Sequence, residues 1–159
     1  MNKLSPNTGA HSNLVESIPP PHFRVLVVED DLCLQTILTR LLQNIDPGIE
    51  IKWMVSADEA WTEIQTKSKA TSLPYNLFIS DISTPGTKSG IDFWKTCQMR
   101  YPHTPFLFTS GMPVDEFFKT FGNPASCPPF LAKPFAVSEC RQIMKILLET
   151  GKTIPNEGT

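Results

Sequence analysis

The sequence predicts an α/β domain in which five helices flank a doubly wound, five-stranded parallel sheet. Five short apolar segments alternate with five amphipathic segments along the chain, and this alternation is typical of parallel sheets whose crossover helices cover both faces. Polar or charged residues directly follow four of the apolar segments. In such sheets a functional site lies beyond the carboxyl ends of the strands, so these residues are the candidates for one.

The apolar segments are predicted to be strands because each is short and bounded by turn residues or charges. Their connections through helices predict right-handed crossovers. The predicted strands are FRVLVV (23–28), IEIKWMV (49–55), NLFISDI (76–82), TPFLFTSG (104–111) and PPFLA (128–132).

The amphipathic segments are predicted to be helices because apolar residues recur in them at a spacing of three or four. They cover residues 31–45, 57–70, 89–101, 114–122 and 136–150. Phe118 is expected to point away from the other two phenylalanines of its helix and to contact a partner. The residues expected to face the core are Leu34, Ile37, Leu38, Leu41, Leu42, Ile45, Ala57, Ala60, Trp61, Ile64, Ile91, Trp94, Met99, Phe117, Phe121, Val137, Cys140, Ile143, Met144 and Leu147.

Length and composition favour one globular domain. The chain has 159 residues, which is enough to bury a core. The net charge of −2, with scattered Lys and Arg, argues against a general nucleic-acid-binding protein. The sequence has no apolar run of membrane-spanning length and no signal-peptide core, so we expect a cytoplasmic protein whose four cysteines are reduced. Residues 1–22 are predicted to be a flexible tail, 23–150 the domain and 151–159 a C-terminal tail.

Acidic residues follow the first and third strands. Glu29, Asp30 and Asp31 end the first, and Asp81 ends the third. Carboxylates crowded at one sheet edge repel one another, and a divalent cation removes that cost. Because all the donors are oxygens, Mg²⁺ or Mn²⁺ is the expected ion. We assign the metal to Glu29, Asp30 and Asp81, and expect Asp31 to cap the helix that it begins.

A hydroxyl and an ammonium follow the fourth and fifth strands, at Thr109 and Lys133. Asp81 could attack phosphorus as a nucleophile. The metal, Lys133 and Thr109 would then each neutralise one oxygen of the phosphoryl group. The sequence therefore predicts phosphoryl chemistry centred on Asp81.

Four segments resemble the signatures of response-regulator receiver domains of two-component signalling, in order and at near-usual spacing: VLVVEDD, FISDIS, LFTSG and FLAKPF. The resemblance covers about residues 23–150 and implies the flavodoxin-like receiver fold. It implies that Asp81 accepts a phosphoryl group from a histidine kinase or a histidine phosphotransfer protein. Glu29 and Asp30 match the acidic pair that holds Mg²⁺, and Thr109 and Lys133 match the switch hydroxyl and the phosphate-binding lysine.

The resemblance implies roles for three more residues. Ser83 matches a position whose backbone carbonyl ligates the metal, and Phe130 matches an aromatic rotamer switch. Pro134 matches a proline that typically follows a cis peptide bond. Phosphorylation would draw Thr109 towards Asp81, and Phe130 would enter the vacated space.

The sequence also departs from the family pattern. The stretch TKSKATSLPY (66–75) is longer than usual, STPGTKSG (83–90) has extra small residues, and Phe130 lacks a hydroxyl. The N-terminal tail is not a family feature, and no output domain is expected after the last helix. A stand-alone regulator similar to those of chemotaxis is therefore expected, with no catalysis beyond its own phosphorylation and dephosphorylation, signalling through contact with a downstream protein.

Two alternatives stay open. A phosphatase of the haloacid-dehalogenase type also uses an aspartate nucleophile, a hydroxyl, a lysine and Mg²⁺. That class needs an acid two residues after the nucleophile, where this chain has Ser83, and a cap domain, for which the sequence leaves no room. A receiver that binds partners without phosphorylation is the other alternative, although the intact set of site residues argues against it.

Overall fold

A computed structural model describes residues 23–67, 75–122 and 127–152. The tails at 1–22 and 153–159, and most of the long stretch after the second helix, lie outside the described residues. Strands and helices alternate along the chain as predicted. The elements are β1 (Arg24–Val28), α1 (Leu32–Ile45), β2 (Glu50–Met54), α2 (Ala57–Lys67), β3 (Leu77–Asp81), α3 (Gly90–Arg100), β4 (Phe106–Ser110), α4 (Val114–Phe121), β5 (Phe130–Ala132) and α5 (Val137–Lys152).

The five strands form one sheet in the order β2-β1-β3-β4-β5, and every pair is parallel. The strand order reverses at β1, where the chain moves from one half of the sheet to the other. This confirms the predicted fold class. Because the strands are parallel, all five carboxyl ends lie on the same edge of the sheet.

Local signals explain where two of the helices begin. The Asp31 carboxylate accepts the backbone N–H groups of Cys33 and Leu34, which confirms it as the cap of α1. Ser89 and Asp92 form a reciprocal capping box at the start of α3. Both caps lie at the carboxyl edge of the sheet, so they fix the helices that border the candidate site.

The sheet separates two layers of the core. Alternate residues of β1, β3 and β4 face opposite sides. On the α1 and α5 side the buried residues are mainly aliphatic: Val25, Val27, Leu38, Leu42, Leu77, Ile79, Leu107, Leu131 and Met144. On the α2, α3 and α4 side the buried residues among those the structure describes include smaller aliphatic side chains and six aromatic ones: Tyr75, Phe78, Phe93, Phe106, Phe108 and Phe117.

Three residues expected in the core are exposed instead. Met99 is 78% exposed, because the inward face of α3 centres on Phe93 and Cys97, one turn apart, and Met99 lies off that face. Val137 is 56% exposed, because the buried row of α5 begins one turn later, at Cys140. Ile37 is also exposed, since the apolar stripe of α1 is wider than the surface it covers. Phe117 is buried and Phe118 is exposed, as expected.

In the part of the chain that the structure describes, none of the helices combines the length and the apolar character needed to cross a lipid bilayer.

Candidate phosphoryl-acceptor site

The alternation of side chains along the strands brings four of the predicted site residues to one face of the sheet. Each of Glu29, Asp81, Thr109 and Lys133 lies two residues beyond a buried aliphatic residue of the α1 and α5 layer. Because side chains two residues apart point to the same face, these four extend the aliphatic rows past the carboxyl ends of the strands. The two-residue alternation of side chains along the strands therefore brings these four residues together in one site.

Three carboxylates meet at this edge. Glu29, Asp30 and Asp81 each offer an oxygen, and these oxygens all lie within 4.8 Å of one another. Glu29 and Asp81 are buried, whereas Asp30 is exposed. Two buried carboxylates with an exposed third, all oxygen donors, fit a hard divalent cation that enters from solvent and keeps water ligands. The donor set therefore suits Mg²⁺ or Mn²⁺.

Lys133 bridges two of the carboxylates. Its Nζ atom donates to Glu29 Oε2 at 2.7 Å and to Asp81 Oδ2 at 2.6 Å. Burial acts to lower the pKa of Lys133, but the bonds to Asp81 and Glu29 outweigh it and hold this pKa above its usual value. The ammonium therefore stays charged near neutral pH. The backbone N–H of Lys133 donates to the carbonyl of Ser110, and the Lys133–Pro134 peptide bond is cis, as expected.

Glu29 is the most buried of the three acids, with 1% of its surface exposed. Burial raises the pKa of Glu29 above its usual value, while its bond with Lys133 acts in the opposite direction. Its other oxygen accepts the backbone N–H of Asp31 at 3.2 Å. Asp31 itself caps α1 and contributes no oxygen to the acidic cluster.

Thr109 lies on the strand next to Asp81, and the two are direct register partners. The side chain is buried, and Oγ1 has no hydrogen-bond partner among the described residues. An unpaired buried hydroxyl is costly, so its presence beside Asp81 needs a reason. A phosphoryl oxygen on Asp81 would give this hydroxyl a partner.

The segment that follows Asp81, residues 82–89, is hereafter called the Asp81 loop. The backbone N–H of Ser83 donates to Asp81 Oδ1 at 3.0 Å. Ser80 Oγ donates to the Asp81 carbonyl. Gly90, which begins α3, lies so close that an added Cβ would be 2.1 Å from that carbonyl oxygen. The loop therefore starts and ends tightly against the strand.

Sequence reasoning missed the contacts of the Asp81 loop. Ser80 and Gly90 fit around the backbone of Asp81 in ways that only the folded chain reveals. Asp58, on α2, accepts hydrogen bonds from Thr87 and Lys88 in the same loop. Asp58 is 29 residues from Thr87, and no local motif marks a pair so far apart.

Phe130 faces the other side of the sheet. Its ring stacks on Phe117, with centroids 4.2 Å apart and an interplanar angle of 18°. In β4–β5 register it pairs with Phe108, whereas Thr109 pairs with Leu131. Thr109 and Phe130 therefore point to opposite faces. An apolar groove beside Phe130 is lined by Val114, Phe118, Cys127, Pro128, Pro129, Ala132 and Glu139.

Comparisons with known proteins agree with this geometry. Among solved structures, the chain is similar to the chemotaxis response regulator CheY4 of Vibrio cholerae, with 26% identity, a TM-score of 0.62, and coverage of 79% of this chain and 98% of that chain. It is also similar to a putative response regulator from Chloroflexus aurantiacus, with 25% identity, a TM-score of 0.63, and coverage of 80% and 98%. No match was found among curated proteins.

The family model "Response regulator receiver domain" matches residues 25–145. The matched span begins at the second residue of β1 and ends within α5, so it includes part or all of every strand and all the residues of the acidic cluster. Receiver domains are in general signalling modules that bind Mg²⁺ at an acidic pocket and interact with kinases or phosphotransfer proteins. The protein therefore belongs to the response regulator receiver domain family of two-component systems.

Proposed function

We propose that Asp81 accepts a phosphoryl group from the phosphohistidine of a histidine kinase or a histidine phosphotransfer protein. One observation carries this proposal. The Lys133 ammonium contacts both buried carboxylates, while the Thr109 hydroxyl on the strand next to Asp81 is buried and has no hydrogen-bond partner among the described residues. A carboxylate that lies beside a cation and an unpaired hydroxyl can receive an anionic group, because both neighbours can bind its oxygens.

In the proposed reaction, an Asp81 carboxylate oxygen bonds to phosphorus as the bond from phosphorus to the histidine nitrogen breaks. The donor phosphohistidine carries a proton on its other ring nitrogen, so it leaves as a neutral imidazole, and an aspartyl phosphate remains. Lys133 then pairs with one phosphoryl oxygen, and the Thr109 hydroxyl donates to another. Because both groups are held by adjacent strands, they need only short movements to reach the phosphoryl group.

Glu29, Asp30 and Asp81 would hold Mg²⁺, with the backbone carbonyl of Ser83 as a further proposed ligand. The ion supplies charge neutralisation at the phosphoryl oxygens. Of the three carboxylates, only Asp30 is exposed. It therefore gives the ion its route from solvent.

Output is proposed to pass through protein contact at the groove beside Phe130. Phe118 is 39% exposed at this groove, and its ring contacts Phe117, which stacks on Phe130. Phosphorylation can change partner affinity only by the difference in contacts between two states, typically about 1–3 kcal/mol. Since Thr109 and Phe130 face opposite sides, their coupling would run through the backbone that follows β4.

Phosphorylation with a small donor tests the acceptor. In Mg²⁺, labelled acetyl phosphate should modify the wild type, and the label should be released by hydroxylamine, as for an aspartyl phosphate. Asp81→Asn should keep the fold and take up no label, because an amide is not a nucleophile here. Normal labelling of Asp81→Asn would refute the assignment.

The same preparations test the two alternatives. Continued release of phosphate from phosphomonoesters would favour the phosphatase of the haloacid-dehalogenase type. Partner binding that is equal with and without phosphorylation would favour a phosphorylation-independent module. A receiver should give a different result. Neither the wild type nor Asp81→Asn should hydrolyse phosphomonoesters, and only the wild type should take up the label.

Two adjacent acids test the metal assignment. Asp30→Ala should remove most Mg²⁺ binding, because its carboxylate belongs to the cluster. Asp31→Ala is the matched control, and should keep Mg²⁺ binding while losing the α1 cap, at a cost of about 1 kcal/mol in the free energy of unfolding. Titration calorimetry and chemical denaturation measure the two effects. An equal loss of Mg²⁺ affinity in both variants would contradict the assignment.

A further inference from the structure

We propose that Asp58 is a positioning residue that holds the Asp81 loop in the conformation needed for Mg²⁺ binding, an inference that rests on the proposed function. Asp58 lies in the first turn of α2, outside the acidic cluster. It would act through the backbone of the loop rather than by touching the metal or the phosphoryl group.

Three hydrogen bonds join the Asp58 carboxylate to the loop. Oδ2 accepts the backbone N–H groups of Thr87 at 2.9 Å and of Lys88 at 3.0 Å. Oδ1 accepts the Thr87 hydroxyl at 2.6 Å. An acidic residue in the first turn commonly serves only the dipole of its own helix. Here both oxygens are instead bonded to a segment about 30 residues away.

The contact is reciprocal. Thr84, in the loop, accepts the backbone N–H of Ala57 at the start of α2 and donates to the carbonyl of Lys88. The Lys88 ammonium lies 4.8 Å from the centre of the Trp61 ring, one turn further along α2. The loop and α2 therefore satisfy each other's polar groups, and α2 fixes the middle of the loop.

The ends of the loop are bonded to the sheet and to α3. The backbone N–H of Ile82 donates to the Thr109 carbonyl, and that of Gly90 donates to the Ile82 carbonyl. Ser83 lies between these anchors, and its backbone N–H donates to Asp81. With both ends fixed, the bonds to Asp58 decide the path of the remaining backbone. That path includes the Ser83 peptide beside the acidic cluster.

Gly86 supports the same inference independently. Its φ of +106° is a conformation that L residues rarely adopt. A Cβ added at this position would lie 2.3 Å from Asp58 Oδ2. The loop therefore comes close enough to Asp58 only because residue 86 has no side chain. The bonds from Thr87 and Lys88 also lower the pKa of Asp58, so its carboxylate stays ionised near neutral pH.

The test compares variants that break the contact with variants that only remove charge. Asp58→Ala removes all three bonds. Asp58→Asn keeps an oxygen for the two N–H groups and an amide that can donate to the Thr87 hydroxyl. Glu59→Gln removes a neighbouring charge on α2 and keeps an acceptor for the N–H of Val55. Mg²⁺ affinity is measured by calorimetry. Hydrogen exchange of the Thr87 and Lys88 amides measures directly whether these two hydrogen bonds to residue 58 are kept.

Asp58→Ala should weaken Mg²⁺ binding about tenfold, the lower end for groups that orient metal ligands, and should expose the two amides to exchange. Gly86→Ala should do the same without altering Asp58. Asp58→Asn and Glu59→Gln should stay within about twofold of wild type, since exposed charges interact weakly. If Asp58→Ala does not fold, Thr87→Val should still weaken binding about threefold, as expected for one hydrogen bond.

Two results would overturn the inference while leaving the proposed function intact. One is unchanged Mg²⁺ affinity in Asp58→Ala, or in Thr87→Val if the first does not fold, although the amides exchange freely. The other is an equal loss of affinity in Asp58→Asn and Asp58→Ala, which would mean that charge and not position matters. If the wild type binds no Mg²⁺ and takes up no phosphoryl label, the proposed function fails and this inference fails with it.

Discussion

The two faces of the sheet differ in their core residues and in their proposed roles. The face covered by α1 and α5 is mainly aliphatic, whereas the face covered by α2, α3 and α4, here called the aromatic side, contains six buried aromatic side chains among the described residues. In β4, Leu107 faces the first and Phe108 the second. The side chains of the proposed site continue the aliphatic rows beyond the strand ends, whereas Phe130 and the groove beside it belong to the aromatic side.

In the proposed function, this division would separate the reaction on one face of the sheet from the output on the other. Because side chains alternate, a single strand carries Thr109 towards the site and Phe108 towards the aromatic layer. Phe108 contacts four other rings, and Phe117 continues that cluster to Phe130. In the proposed switch, a change at the site would therefore cross the sheet through backbone movement before the aromatic side repacks.

The largest expected effect comes from the two neighbours in β4. Phe108→Ala should lower the free energy of unfolding by about 4 kcal/mol, and Leu107→Ala by about 3 kcal/mol. Phe108 loses more because its aromatic contacts add to the lost area. Denaturant titration measures both, with the exposed Met99→Ala as a control that should change stability by less than about 0.5 kcal/mol. A larger loss for Leu107→Ala would reverse the comparison.

The next effect has opposite signs on the two faces. Thr109→Val removes a buried hydroxyl that has no partner among the described residues, and should raise the stability of the unphosphorylated protein by about 1 kcal/mol. Ser110→Ala removes a hydroxyl that accepts the Met112 N–H, and should cost about 1 kcal/mol. Thermal denaturation without phosphodonor distinguishes them. Destabilisation by Thr109→Val would mean that its hydroxyl is already satisfied.

A smaller, pH-dependent effect is expected on the aromatic side. Hydrogen bonds from the backbone and side chain of Ser89 lower the pKa of Asp92 below its usual value. This stabilisation is complete above about pH 4 and is lost as pH falls through the lowered pKa. The stability difference between wild type and Asp92→Ala, at most about 0.5 kcal/mol because solvent screens the group, should shrink towards pH 3. A difference that grows on acidification would contradict the capping-box explanation.

The smallest effect is a difference in reactivity that leaves stability unchanged. Each layer contains one buried cysteine, Cys97 on the aromatic side and Cys140 on the aliphatic side. Burial raises the pKa of Cys140 to about 12 and also raises that of Cys97. Iodoacetamide should therefore label exposed Cys33 alone of these three in the native protein. Both buried thiols should become reactive at one denaturant concentration, whereas earlier labelling of Cys97 would mean that the aromatic layer opens separately.

Periodic patterns made most of the fold predictable. The parallel sheet and the meeting of Glu29, Asp30 and Asp81 follow from the alternation of strands and helices and from the rule about strand ends, and the cap at Asp31 follows from its position before α1. The prediction for α3 was wrong at Met99. The apolar residues Ile91, Trp94 and Met99 are compatible with more than one inward face of the helix, and the face that is buried is the one that contains Phe93. Helical spacing alone cannot choose between such faces.

The details of the site were less predictable than its members. Lys133 bridges Glu29 and Asp81, and within the described part of the chain the Thr109 hydroxyl has no hydrogen-bond partner. Both features depend on side-chain positions that sequence spacing does not encode. Asp58 was missed because its partners in the Asp81 loop are distant in sequence. Contacts between a loop and a helix that is distant in sequence carry no periodic signal, so only the folded chain reveals them.

The two outer strands of the sheet bear on how the protein behaves at high concentration. Open strand edges invite pairing between molecules, which leads to aggregation. β2 presents exposed charges at Glu50 and Lys52. β5 has only three residues, and Pro129 before it and Pro134 after Lys133 lack an N–H group. A strand of a second molecule would therefore meet charged side chains at β2 and too few backbone N–H donors at β5. Concentrated solutions should therefore resist the growth of sheet-like aggregates from the native state.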